Sequence, residues 1–496
     1  MATQTSLLRR RMMPNKPIRS KVFTPVFIAA YALFLGGCGS LAPEYKRPQA
    51  PVAMQFPMLS SSAGTASATP AADIEWQVFF SDAKLRQLIA ASLQSNRDLR
   101  VAVLNIEQAR AQFQIRRADQ FPTVNAAVTG SRQPARAANG DSFIASTYTA
   151  GLAVTAYELD FFGRIASLKD QALAQYLATE EGRKTAQISL IAMVAHTYLS
   201  LLADEELLAI TQQTLVTRQE SFKLGKLRFD NGVTSELDLR QAESLLETAR
   251  ASLAQLLRQR ALDLNALTLL VGQALVGELA LPGGRSLADA SLMQDVPAGL
   301  PSDLLIRRPD VRQAEQQLIA ANANIGAARA AFFPRISLTT TLGSASSHLG
   351  DLFKGGSYGW SLAPQLLLPI FDAGRNQAGL GSANAGRDIA VAQYEKSIQT
   401  AFREVADALA SRDTLGEQLR AQQAQANAEA VRYKLAGLRY DNGIASYLDA
   451  LDAQRSLFAA RQSLVQTRLA QLQSQVTLYK TLGGGWKQSD VVSAMP

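Results

Sequence analysis

Asp449 and Asp452 stand three residues apart, which on a helix puts two like charges on one face, where they disfavour each other. Ser446 precedes Asp449 by three, as Ser235 precedes Asp238, and this spacing is that of a capped helix start. Capping therefore accounts for Asp449 and leaves Asp452 without a structural reason. Other chemistry is thin. The chain has one cysteine, Cys38, and two separated histidines, His196 and His348, so no metal cluster of recognisable spacing exists. His196 lies in a helical run beside Met193 and Tyr198 and reads as packed; His348 reads as a loop residue. No phosphate-cradling glycine loop or nucleophile elbow occurs. The residues point away from an enzyme and call for no cofactor.

The first 37 residues explain the charge. Arg9, Arg10, Arg11, Lys16, Arg19 and Lys21 are six of the net +8 and have no acid among them, which leaves +2 for the remainder. A near-neutral chain gives no reason to expect nucleic acid as a partner. The basic stretch, the apolar run Val22 to Leu35 and the small residues ending at Cys38 have the three regions of a secretory signal. The run is too short for a convincing spanning helix. The pattern resembles a bacterial lipoprotein box, with 1–37 removed and Cys38 lipid-modified. Gly39 lacks the acidic side chain associated with inner-membrane retention, so the anchor points to the outer membrane. Residues 38–75, rich in proline and then in Ser, Ala and Thr, read as an extended tether without a core, with order beginning near Trp76.

The remainder is duplicated. Phe222 to Asp238 aligns without a gap on Tyr433 to Asp449, and Arg117 to Pro122 matches Arg329 to Pro334 at nearly the same offset. The boundaries are a first repeat over 76–272, a connecting segment over 273–308, a second repeat over 309–484 and a tail over 485–496. Each copy begins with a helical stretch (about Asp82 to Gln120; Pro309 to Phe333) that stops at Phe-Pro. Two short alternating segments follow: Val124 to Arg132 and Tyr148 to Glu158, then Ile336 to Gly343 and Trp360 to Leu368. Each is about the ten residues that a tilted strand needs to cross a bilayer. A very long helical stretch comes next, broken at Asp230-Asn231-Gly232 or Asp441-Asn442-Gly443, where glycine accepts positive φ. The resumed helices carry a coiled-coil seam, with Leu239, Leu246, Leu253 and Leu267 beside Ala242 and Ala249, and Leu457, Leu464 and Leu478 beside Ala453 and Ala460. Gly163 to Leu227 alone would reach roughly 100 Å.

In lipid, a sheet edge leaves backbone groups unpaired at several kcal/mol each. Four strands fall short of the eight of the smallest bacterial barrels, so membrane-spanning strands require several chains to close one wall. Two chains supply eight strands and three supply twelve. The alternating pattern also fits a small soluble sheet, and the lipid anchor favours the membrane.

Pro43 to Pro48, Glu158-Leu-Asp-Phe-Phe-Gly-Arg164, Leu300 to Asp310, Ile370-Phe-Asp-Ala-Gly-Arg375 and Tyr440 to Asp449 together are similar to the TolC-like outer membrane factors, in particular their NodT-type lipoprotein branch. The resemblance covers nearly all of 38–496. It implies a mainly α chain with a small β part, assembled as a homotrimer with a twelve-stranded outer-membrane β-barrel continued by a long periplasmic α-helical barrel. It implies a passive exit duct of a tripartite efflux pump for small molecules such as drugs. The implied partners are a periplasmic adaptor, an inner-membrane pump of RND or similar type, and outer-membrane lipid. It further implies that Asp449 and Asp452 line the constriction, six carboxylates in a trimer, and that Asp238, Tyr440 and Arg468 tie the inner helix pair in the closed state. Gly232, Val233, Thr234, Gly443, Ile444 and Ala445 would contact the adaptor, although the apolar ones could also pack between protomers. A type I protein-secretion or metal-efflux channel is the alternative cargo, and a pore-less periplasmic scaffold the alternative class.

Overall fold

The computed structural model describes residues 40–57, 70–281, 284, 286–287 and 301–487, a mostly helical chain with one sheet. Cys38, the signal segment and most of the Ser/Ala/Thr run lie outside the described residues. In chain order the elements are α1 (Trp76–Phe79), α2 (Ala83–Ser95), α3 (Arg97–Ala118), β1 (Val124–Arg136), β2 (Ser142–Leu159), α4 (Arg164–Asp230), α5 (Glu236–Val271), α6 (Pro301–Arg307), α7 (Pro309–Ala330), β3 (Arg335–Ser346), β4 (Tyr358–Leu367), α8 (Arg375–Asp441) and α9 (Tyr447–Thr481). Helices α4 and α8 have 67 residues each, roughly 100 Å of rise.

The chain divides into two compact units. One holds residues up to Pro43, Asp119–Leu168 and Ile325–Leu380; the other holds Glu44–Ala118, Lys169–Asn324 and Gly381–Pro496. The first is built on an antiparallel sheet in the order β1-β2-β3-β4. Its strands outrun the segments visible in sequence: the β1–β2 ladder continues past Arg132, through Pro134 opposite Ile144 and Ala135 opposite Phe143, to Arg136 opposite Ser142.

The second unit has two cores. In one, Phe79 stacks on Tyr479 with ring centroids 3.9 Å apart, and the Tyr479 hydroxyl donates to the Ile74 carbonyl at 2.6 Å. Leu88, Ile89, Val194 and Leu267 are fully buried around them, each contributing about 1.5–3 kcal/mol. The other core runs along α8 through Ala390, Tyr394, Ile398, Ala401, Val405 and Ala408, the three-and-four spacing of a helix–helix seam. The initial helical stretch is broken at Asn96, whose side chain accepts from Leu99 N–H at 2.9 Å and restarts the helix as α3.

The expectation that order begins near Trp76 is corrected. Arg47 grips Glu315 through two bonds of 2.7 and 2.9 Å, the Tyr45 hydroxyl donates to the same carboxylate at 2.9 Å, and buried Phe56 stacks on Phe402. A proline-rich segment cannot build a core, but these side chains dock on helices already there.

Asp204 on α4 is 6% exposed, close to Asp263, and beside the ion pair of Glu205 with Arg260 (2.5 Å). Burial, and then the Asp263 carboxylate, push Asp204 up to about 7. The folded state therefore holds a proton that the unfolded chain has released. Stability is greatest below the ordinary carboxylate range and declines as pH rises from there to about 7. Asp204→Asn removes this loss. Its trimer should withstand a higher temperature than the unmodified protein at pH 8 and about the same temperature at pH 4, read by heat dissociation on electrophoresis at both pH values.

Candidate functional site

Directly opposed residues of an antiparallel ladder share a face, so the register assigns the faces of the sheet. One carries Val124, Val128, Leu152, Val154, Leu338, Leu342, Trp360, Leu362 and Leu366, with Tyr148 and Tyr358 towards one end. Trp360 is 73% exposed, and no soluble core covers it. The opposite face carries Asn125, Thr129, Thr149, Ser337, Thr341, Ser361 and Gln365, and its hydroxyls meet in pairs: Thr129 with Thr149 and Thr341 with Ser361, both at 2.6 Å. An apolar face with aromatics at its end and a polar face opposite is the composition of a membrane barrel wall. Strands β1 and β4 each have one neighbour within the chain, so closure requires other copies.

A β-bulge between Val154 and Tyr157 puts Ala156 at φ 51°, its N–H donating to Thr339 Oγ1 at 3.1 Å. The extra residue reverses the alternation, moving Glu158 from the apolar side to the side of Ser337. There it takes a two-pronged bond from Arg164 (2.7 and 2.6 Å) and two bonds from Arg335, of 3.2 and 2.6 Å. The Glu158 to Arg164 motif thus fixes the first residue of α4, while Asp160 caps the Ala166 N–H at 2.7 Å.

At the α4–α5 and α8–α9 turns the two repeats make the same structure. Gly232 N–H bonds Phe229 O and Val233 N–H bonds Arg228 O; Gly443 and Ile444 repeat this on Tyr440 and Arg439. This is a Schellman motif, with glycines at φ 73° and 72°. It leaves the apolar Val233 and Ile444 68% and 69% exposed. Thr234 reaches back to Asp238 Oδ2 at 3.0 Å, and Ala445 N–H bonds Arg439 O. Ser235 and Ser446 cap α5 and α9, and Asp449 completes a capping box. The Ser235 hydroxyl, followed by that of Thr234, holds the Asp238 carboxyl below the usual range.

Asp452 pairs with Arg455, three residues on along α9, at 2.5 Å, and with a partner that sequence could not supply, Arg432 of α8, at 2.7 Å. Tyr440 lies under the Arg228 guanidinium at 5.1 Å and against the Tyr447 ring at 5.0 Å, while the Tyr447 hydroxyl donates to Ser221 O at 3.1 Å. The structure does not bring Arg468 to this group. It stands beside Glu206 at 3.7 Å and Gln423 at 3.4 Å, because 19 residues of unbroken α9 separate it from Asp449 by roughly 28 Å. Sequence reasoning missed Arg228, Arg432 and Tyr447. Arg228 had a signal, since it recurs as Arg439 in the other repeat; the other two had none.

The sheet, the long helices and the tip turns define a channel-wall protein that shares one duct among several copies. The sequence profile described as "Outer membrane efflux protein" matches residues 88–273 and 300–484. The toluene efflux pump outer membrane protein TtgC of Pseudomonas putida is 51% identical over 463 residues, 92% of this chain and 95% of that one. A solved membrane protein from Pseudomonas aeruginosa superposes with a TM-score of 0.84 at 46% identity, covering 92% of this chain and all of that one. The open state of the Neisseria gonorrhoeae MtrE outer membrane channel gives 0.82 at 39% identity, covering 90% and 99%.

The chain belongs to the outer membrane efflux protein family. It is the outer-membrane channel of an efflux pump, a homotrimer of the twelve-stranded β-barrel and α-helical barrel class with a tandem duplication in each chain. It works with a periplasmic adaptor and an inner-membrane pump.

Proposed function

We propose that this channel conducts small, largely apolar organic molecules, drugs and solvents among them, delivered by a pump of RND type, and that it takes no part in chemistry. The toluene pump relative supports the substrate class. We assign the gate to the tip: Asp449, Asp452, Asp238 and Tyr440, with Arg468 as a brace higher on α9. The adaptor docks on Gly232, Val233, Thr234, Gly443, Ile444 and Ala445. Cys38 carries a lipid that tethers the chain to outer-membrane lipid, and 273–308 is the segment of chain that connects the two repeats.

The observation that carries the gate is the pair of links from the α4–α5 hairpin to the α8–α9 hairpin: Tyr447 to Ser221 O, and Arg228 over Tyr440. Each bond is worth about 1 kcal/mol net, and threefold symmetry would repeat the set, a barrier of a few kcal/mol to splaying the hairpins apart. The double variant Arg228→Ala, Tyr447→Phe should raise single-channel conductance in planar bilayers several-fold and sensitise cells to bulky antibiotics. An unaltered conductance would sink this gate.

A further inference from the structure

We infer that the part of the duct walled by the β-sheet beyond its Glu158 rim presents no charge to its contents, and so passes cationic, anionic and neutral solutes without discriminating by sign. The inference rests on the reading of the chain as a channel and goes further, to which solutes one segment admits. Four charged residues lie on the strands: Arg132, Arg136, Glu158 and Arg335. Arg132 and Arg136 pair opposite Ser146 and Ser142, on the outward face that also carries Val128. Glu158 and Arg335 fall on the inward face, opposite Ser337 and Leu367, and there they are bonded to each other at 2.6 Å. The bulge at Ala156 places Glu158 inward; without it, alternation would turn the carboxylate into lipid, where charge is costly. Arg164 shares the same carboxylate, so the rim holds two arginines on one glutamate, and beyond it the inward face has only uncharged side chains.

The hydroxyls of that face matter for what they do not impose. A ring of fixed charge focuses counter-ions and repels their opposites. A hydroxyl both donates and accepts and rotates to suit its neighbour, so Thr129, Thr149, Thr341 and Ser361 hydrate either sign without favouring one. Selection by charge falls to other parts of the chain.

The test uses the full-length trimer in planar bilayers under a KCl gradient. Thr341→Asp, which puts one carboxylate per protomer into a neutral wall, should raise the cation-to-anion permeability ratio about threefold or more. Leu342→Asp, one residue along and on the lipid face, should leave that ratio unchanged and lower the heat resistance of the trimer. Thr341→Cys, nearly the same size, provides the second measurement, with Cys38 the one other cysteine in the chain and the unmodified protein as control. Cationic and anionic methanethiosulfonate reagents should modify it at the rate ratio they show for a free thiol in solution, within about twofold. A tenfold departure, or a permeability ratio that shifts with Leu342→Asp and not Thr341→Asp, would overturn the neutral wall. If the unmodified trimer forms no conducting pore, the channel reading fails with it.

Discussion

Arg308→Met should lower the stability of the protomer by about 2–4 kcal/mol, the largest loss expected from any single ion-pair substitution in the second unit. Arg308 joins α6 to α7 and is 8% exposed at its side chain. It donates to Asp310 through Nε and Nη2 at 3.0 and 2.6 Å, to Glu404 of α8 at 2.8 Å, and to the Thr481 carbonyl at the end of α9 at 2.8 Å. One guanidinium thus ties three segments that lie far apart in sequence. Methionine fills the volume but leaves two carboxylates facing each other and a helix-end carbonyl without its donor. Asp310 and Glu404 are about a third exposed and can recover some hydration, which keeps the loss at or below the 3–5 kcal/mol of a fully buried pair. The measurement is the temperature at which the detergent-solubilised trimer dissociates. Arg420→Ala, which removes an exposed pair with Glu417, is the comparison and should change stability by less than about 1 kcal/mol. Equal effects of the two substitutions would remove Arg308 from its structural role.

Gly343→Ala should abolish assembly. A Cβ at Gly343 would lie 2.3 Å from the Ala150 carbonyl oxygen and 2.6 Å from the Gly151 Cα, both backbone atoms with no rotamer to relieve the clash. Gly151 and Gly343 oppose each other within the β2–β3 ladder, so β2 and β3 would have to separate there. Backbone groups unpaired in the hydrocarbon region cost several kcal/mol each. Gly359, opposite Gly343 on the next strand, has no atom of its own chain within 4 Å of the point where a methyl group would stand, and Gly359→Ala should disturb assembly far less than Gly343→Ala. Heat-resistant trimer in the outer-membrane fraction is the readout. If Gly343→Ala yields trimer in normal amounts, the close approach is not required.

The sheet shows how much was legible in the residues and how much was not. Alternation from Ile336 to Gly343 and the stops at Phe-Pro depend on neighbours a few positions away, so the number of strands, the long helices and the two Asp-Asn-Gly turns could be read directly. The duplication made each reading twice over, and it linked Ser235 to Ser446 and Asp238 to Asp449 by alignment alone.

Tertiary structure decided whatever depends on residues distant in the chain. Only the register shows that Glu158 faces inward, since one bulged residue at Ala156 reverses a two-residue period. Only packing gives Asp452 its second arginine, Arg432, takes Arg468 away from the tip to Glu206, and seats Tyr45, Arg47 and Phe56 on helices that follow them by hundreds of positions. Local sequence fixes the dihedral angles and periods of each element. Which side chains then meet follows from how rigid helices and paired strands are brought side by side, and no short stretch of residues encodes that.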